Sequence, residues 1–212
     1  RPMSKDSTRD RILAAASAEF SVKGFDKTTV RDICTRADVN VAAINYHFRD
    51  KQNLYYKVLA HWMDDYMEKT GLRESMTSLK SPEEKYRQYL RAELSYMCRA
   101  NDPDGVQLNQ ARQILQELSA DDHDPEVFRC HKEVEEEILF PVIQELLGGC
   151  EDRAVVADAA MAATSLSVHY FLRALDDPQF AIQTEEDLDH TTNFLATFAL
   201  GGLKAIKEKY NA

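Results

Sequence analysis

Glycine and proline are scarce, seven and six among 212 residues, and long stretches contain neither. Strands joined by tight turns need more of both, so the scarcity argues against a β-rich architecture and favours helices throughout. No uninterrupted apolar run approaches the roughly 18 residues that span a bilayer, and the N-terminus lacks a signal-peptide apolar core. A cytoplasmic protein with no membrane partner is the expectation. The opening Arg1-Pro2-Met3 is set aside, with Met3 reading as a native start. Cysteines are few and far apart (Cys34, Cys98, Cys130 and Cys150) and match no metal-ligand spacing, so reduced thiols and no metal site are expected. A nucleophile elbow, a phosphate-cradling Gly-rich loop and a paired catalytic signature are also missing. Neither an enzyme nor a cofactor is therefore expected.

What is present is charge of both signs, unevenly placed. The chain carries a net charge of −10, an unpromising total for a nucleic-acid binder. Residues 1–57 hold 11 Lys/Arg and 7 Asp/Glu, a net of +4, whereas residues 58–212 hold 15 and 29, a net of −14. A small basic part on a large acidic body suits a protein that meets a polyanion at one end only.

Helix punctuation divides the chain further. Ile12, Leu13, Ala16 and Phe20 form an apolar stripe at helical spacing, from about Asp6 to Lys23, and Gly24 follows as a helix terminator. Thr29 and Asp32 have capping-box spacing for a second helix, Ala37-Asp38-Val39-Asn40 reads as a turn, and a third short helix runs to about Phe48. Asp50 caps a fourth. Ser81-Pro82-Glu83-Glu84 is a further start signal, with Ser as cap, Pro at the first position and Glu at the third. Asn101-Asp102-Pro103-Asp104-Gly105 reads as a turn, Pro141 predicts a kink or break near Phe140, and Gly148-Gly149 a stop. Two long helices, about 152–176 and 185–210, are separated by Asp177-Pro178. About nine helices and no strand are predicted: a helix-turn-helix domain over residues 1–57 and a larger helical body over 58–212.

In a helix-turn-helix the first helix braces the DNA backbone and the second enters the major groove. Val30, Ile33 and Cys34 face inward from the first helix and Ile44 anchors the second. Asn40, Val41, Ala42, Asn45, Tyr46 and His47 are then free to meet DNA. The run Ile12-Leu13-Ala14-Ala15-Ala16, Phe20, Gly24-Phe25, Thr28-Thr29-Val30, Asp32-Ile33, Ala37, Val39, Ile44, Tyr46-His47-Phe48, Lys51 and Leu54 resembles the N-terminal domain of TetR-family regulators, in order and without gaps. Asp38 departs from it where that family usually has Gly; Asp tolerates the left-handed conformation better than most residues, so the turn can survive.

The resemblance implies a DNA-binding set. Thr28, Thr29, Tyr46, His47 and Lys51 would position the phosphate backbone, and Asn40, Val41, Ala42 and Asn45 would read base edges. Asn45 suits adenine, and Val41 or Ala42 a thymine methyl. It also implies a homodimer on a palindromic double-stranded DNA operator. The dimer would form through the last two helices, with Val156, Ala159, Ala160, Ala163, Leu166 and Tyr170 on one stripe and Leu188, Leu195, Phe198, Ala199, Gly202 and Ile206 on the other. The body would bind a small-molecule effector that releases a repressor from DNA. Trp62, Tyr66, Tyr89, Met97, Gln107, Arg112 and His169 are the candidate lining residues; each also suits ordinary core or surface. Asp121-Asp122-His123-Asp124 resembles a metal cluster only superficially and reads as solvated acidity. The alternative is an all-helical interaction protein whose helix-turn-helix no longer binds DNA, for which Asp38 and the acidity of the body are the hints.

Overall fold

A computed structural model describes residues 7–98, 106–121 and 124–210, so the turn expected at 101–105 and residues Asp122 and His123 lie outside the described residues. The described chain is helical: α1 (Thr8–Lys27), α2 (Val30–Ala37), α3 (Val41–Phe48), α4 (Lys51–Thr70), α5 (Leu72–Ser78), α6 (Pro82–Met97), α7 (Val106–Leu118), α8 (Pro125–Val134), α9 (Phe140–Leu146), α10 (Arg153–Asp176) and α11 (Glu185–Tyr210). No extended strand occurs among the described residues.

The helix ends follow the sequence. Ser7 caps α1 with Asp10 as its box partner, and Gly24, at φ +75°, breaks the helical path inside α1 where a terminator was expected. Ser81 accepts from the Glu84 amide at 3.3 Å, with Pro82 at the first position of α6. Asp152 accepts from the amides of Ala154 and Val155 at the start of α10. Gly148 and Gly149, both at positive φ, end α9. Between α8 and α9, Glu135–Leu139 form a π-helical turn. Pro141 has no N–H to continue the α register, and the chain takes up the mismatch by widening one turn rather than breaking. Counted through that turn, α8 and α9 are one continuous helical run, so the described residues hold ten such runs where about nine helices were expected. Gly71, at φ +58°, separates α4 from α5, a break that was not anticipated.

The chain forms two compact units, one of residues 1–65 and 104–130, the other of 66–103 and 131–212. The division differs from a single cut after residue 57, because the core around α1 to α3 is completed from elsewhere in the sequence. Leu54, Val58, Leu59 and Trp62 of α4 and Val127 and Cys130 of α8 join Ile12, Ala16, Phe20, Ile33, Ile44 and Phe48, with Ile114 and Leu118 of α7 packed against them. Gln113 of α7 donates to the Phe20 carbonyl at 3.0 Å. In the second unit α6 is central, packing on α5, α9, α10 and α11. The buried Tyr86 hydroxyl donates to the Ala163 carbonyl at 3.1 Å, and Arg91 reaches Glu185 and Asp189 of α11.

Charge also braces the first unit. Glu19 of α1, nearly buried, receives Lys23 at 2.6 Å and Arg36 of α2 at 2.6 Å. The Lys23 hydrogen bond, then that of Arg36, holds its carboxyl below the usual carboxylate range against the opposing effect of burial. Both cations are well over a third exposed, so the pairs are partly screened, and Glu19→Gln should cost about 1 kcal/mol or less. Because the folded pKa is depressed, that stability is full above the ordinary carboxylate value of 4.5 and is lost as the pH falls through the folded value. Thermal unfolding of wild type and Glu19→Gln should therefore differ at neutral pH and converge in acid.

Candidate nucleic-acid interface

Residues 30–48 build the site from their own capping chemistry. Thr29 accepts from the Asp32 amide at 3.1 Å and Asp32 accepts from the Thr29 amide at 3.0 Å, the box expected from their spacing. Asp38 ends α2 in the left-handed region, φ 51° and ψ 56°, the conformation its position in the turn required. Asn40 then caps α3, its side-chain oxygen accepting from the Ala43 amide at 3.0 Å. Ile44 and Phe48, one turn apart, are buried and pin the helix from beneath. Everything on the opposite face is open: Val41, Ala42, Asn45 and Arg49 are exposed, and Tyr46 is 86% exposed.

That face has the parts a groove-reading helix needs. Asn45 carries an amide able to donate and accept at once, Val41 and Ala42 offer small apolar surfaces, and Tyr46 extends a hydroxyl. His47 is half-buried, its ring edge-on to Tyr46 at 5.0 Å between centroids. Beyond Phe48 the chain makes a three-residue turn: Arg49 sits at φ +73°, ψ −54°, and the Asp50 amide donates to the Phe48 carbonyl at 2.9 Å. This is a strained conformation for a residue with a side chain, and it carries an exposed guanidinium at the end of the exposed face. Asp50 accepts from the Asn53 amide at 2.8 Å, capping α4 as expected.

Two of the expected phosphate contacts are placed differently. Thr28 is buried, 1% exposed, and its hydroxyl lies against the carbonyls of Gly24 at 2.8 Å and Glu19 at 3.3 Å. Its hydroxyl secures the link after α1 and is not available to DNA, whereas that of Thr29 is exposed. Lys51 turns inward as well. Its Nζ donates to the carbonyls of Phe25 at 2.8 Å and Thr28 at 3.0 Å and lies 4.0 Å from the centre of the Phe25 ring. Its ammonium gathers carbonyls left unpaired where Gly24 disrupts the helix, a structural use of the charge at this position.

The candidate effector residues are scattered. Trp62 lies in the core of the first unit, its indole donating to Ser17 at 2.8 Å. Gln107 is half-buried and Arg112 exposed on α7; Met97 is half-buried at the end of α6, and His169 is exposed on α10. Only Tyr66 and Tyr89 come together, both within electrostatic reach of Glu93. Glu93 escaped the sequence reading, although a signal existed: it occupies the inward stripe of α6 marked by Tyr86, Leu90 and Met97, where an acid is out of place.

The comparisons with known proteins bear on the first unit. Residues 12–58 match the family of bacterial regulatory proteins described as the tetR family. The Bacillus subtilis (strain 168) protein YttP, named as a probable HTH-type transcriptional regulator, is 37% identical over 92 residues, 43% of this chain and 44% of YttP. The HTH-type transcriptional repressor NicS of Pseudomonas putida is 41% identical over 61 residues, 29% of each chain. The matches thus span less than half the length of these curated relatives. Over the whole fold, the transcriptional regulator FadR of Bacillus subtilis, solved in complex with stearoyl-CoA, superposes with a TM-score of 0.66 at 18% identity, covering 91% of this chain and 97% of that one. Residues 12–58 thus match the DNA-binding domain of the tetR family of bacterial regulatory proteins, and the whole chain shares the fold of solved transcriptional regulators.

Proposed function

We propose that the chain is a cytoplasmic, homodimeric repressor that holds a palindromic operator through α3 and lets go when its body binds a small molecule. The exposed face of α3 carries the reading: Val41, Ala42, Asn45 and Tyr46 project from a helix whose other side is locked into the core by Ile44 and Phe48. Asn40, Thr29 and His47 border that face, and Arg49 supplies a charge at its end.

The dimer reading draws on α10 and α11. Of the residues expected to meet a partner, Val156, Ala159, Ala160, Ala163, Leu188 and Ala199 are buried inside the subunit, whereas Phe198 and Gly202 are exposed. The outward faces around Phe198 and along α10 are also apolar. Met161 and Leu172 on α10, and Phe194 and Phe198 on α11, are each at least half exposed. Gly201 and Gly202, where an added Cβ would meet nothing, leave room beside Phe198 for another helix. This double apolarity also makes α10 long and apolar enough, by length and composition, to cross a membrane: its mean hydropathy over an 18-residue window is 1.3. Asp158, Thr164, Ser165, Ser167 and His169 interrupt the apolar residues of α10, and a dimer face accounts for its composition.

A dimer would set two recognition helices roughly 34–36 Å apart, one turn of DNA or a multiple of it. Effector release then requires a ligand that prefers a conformation with mis-spaced helices, a coupling of about 1–3 kcal/mol. NicS is named a repressor and FadR was solved with an acyl-CoA; both support this reading. Footprinting of the full chain on the DNA upstream of its own gene, with and without a metabolite library, tests it. A protected pseudo-palindrome that one metabolite exposes is expected, and protection indifferent to every metabolite would remove the effector.

A further inference from the structure

In the second unit, the half-buried Glu93 faces hydroxyls and rings without a cation. Its Oε1 accepts from the Tyr89 hydroxyl at 2.7 Å and its Oε2 from the Ser167 hydroxyl. Tyr66, Tyr86 and Cys98 also lie within its electrostatic field, and Glu135 on the π-helical turn is near enough to add to the negative potential. Among the described residues no Lys, Arg or His forms an ion pair with Glu93. A carboxylate drawn away from water is ordinarily paired or protonated. Here burial pushes the carboxyl up, Ser167 and Tyr89 oppose it, and Glu135 reinforces it.

A second observation points to a missing ligand. The Tyr66 ring stands edge-on to Tyr96 at 5.0 Å, and its hydroxyl oxygen is closed off from solvent with no hydrogen-bond partner. A buried phenol ordinarily finds one, and leaving it unmade is costly. The two unmet demands are complementary: an acid lacking a positive partner, and a hydroxyl oxygen able to accept an N–H. Aromatic faces beside them favour a cation over a neutral solute.

We infer that the Tyr66–Tyr89–Glu93–Ser167 cluster is the effector site and that it takes an organic cation, a protonated primary amine that pairs with Glu93 and donates to Tyr66. The inference rests on the proposed effector-binding role of the body and names the chemistry of its ligand. The π-helical turn that carries Glu135 adjoins the site, and such turns are frequent at functional sites.

Calorimetric titration of the full chain with hexylammonium and with 1-hexanol, its neutral counterpart, provides the test. The ammonium should bind at least about ten-fold more tightly, and Glu93→Gln should remove that preference while leaving 1-hexanol unchanged. Tyr66→Phe deletes only an unpartnered hydroxyl, so it should keep the fold and weaken hexylammonium but not tetraethylammonium, which has no N–H. Equal affinity for amine and alcohol, or amine binding that survives Glu93→Gln, overturns the assignment. An operator released by a neutral or anionic metabolite, equally in wild type and Glu93→Gln, also overturns the cation while leaving the effector reading intact. Release by no metabolite removes both.

Discussion

Ile44→Ala is expected to destabilise the DNA-binding unit by about 2–5 kcal/mol. Ile44 is fully buried midway along α3, and only Phe48 shares its role of fixing that helix to the core. A helix of eight residues has no stability of its own in water, so α3 exists because these two side chains are buried. Domains of this size are stable by only about 5–15 kcal/mol, and the loss is a large fraction of that. The single tryptophan offers a direct readout, because Trp62 lies in the same core cluster as Ile44. Urea unfolding followed by its fluorescence should show a midpoint well below that of wild type. Val41→Ala, on the exposed face of the same helix, should leave the stability within about 0.5 kcal/mol of wild type. Comparable losses in both would mean that α3 is not oriented as described.

The second large effect is expected at α11. Phe198 is 70% exposed, with Phe194 one turn before it and Gly201 and Gly202 after it. If a second copy covers this stripe, Phe198→Glu places a charge in an apolar helix–helix contact on both sides of the two-fold axis at once. Sedimentation should then show a monomer at concentrations where wild type is a dimer. Operator affinity should fall about 10²–10⁴-fold, since each half-site must be won without the gain from linkage. The fold should survive, because Phe198 faces away from its own subunit. A variant that remains dimeric and binds as wild type would place the interface elsewhere.

Much of the helix-turn-helix was legible in the sequence because its signals are local. The Thr29–Asp32 box and the left-handed Asp38 are each fixed by residues within four positions. The destinations of Thr28 and Lys51 were not legible. Each is bound by carbonyls around Gly24, four residues away for Thr28 and more than twenty for Lys51, and nothing near either residue marks that use. The partner-facing stripes were legible only in part, with Phe198 and Gly202 outward but Ala159, Ala160 and Leu188 inward. α10 is apolar on two sides, and a period of 3.6 says that stripes exist without saying which one its own subunit covers. The extent of the first unit depended on α7 and α8 returning to α1 and α4, long-range packing with no local signature. Glu93 was legible in principle as an acid in an apolar stripe, but its partners come from α4, α6 and α10.

Whether the outer face of α3 reads DNA is decided by the affinity of the full chain for its own upstream fragment across a range of salt, measured beside Asn45→Ala. Binding should weaken steeply with salt, and Asn45→Ala should lose about 1–3 kcal/mol on the operator yet match wild type on unrelated DNA. A folded dimer that shows no salt-dependent binding, or an operator affinity untouched by Asn45→Ala, would contradict that role for α3.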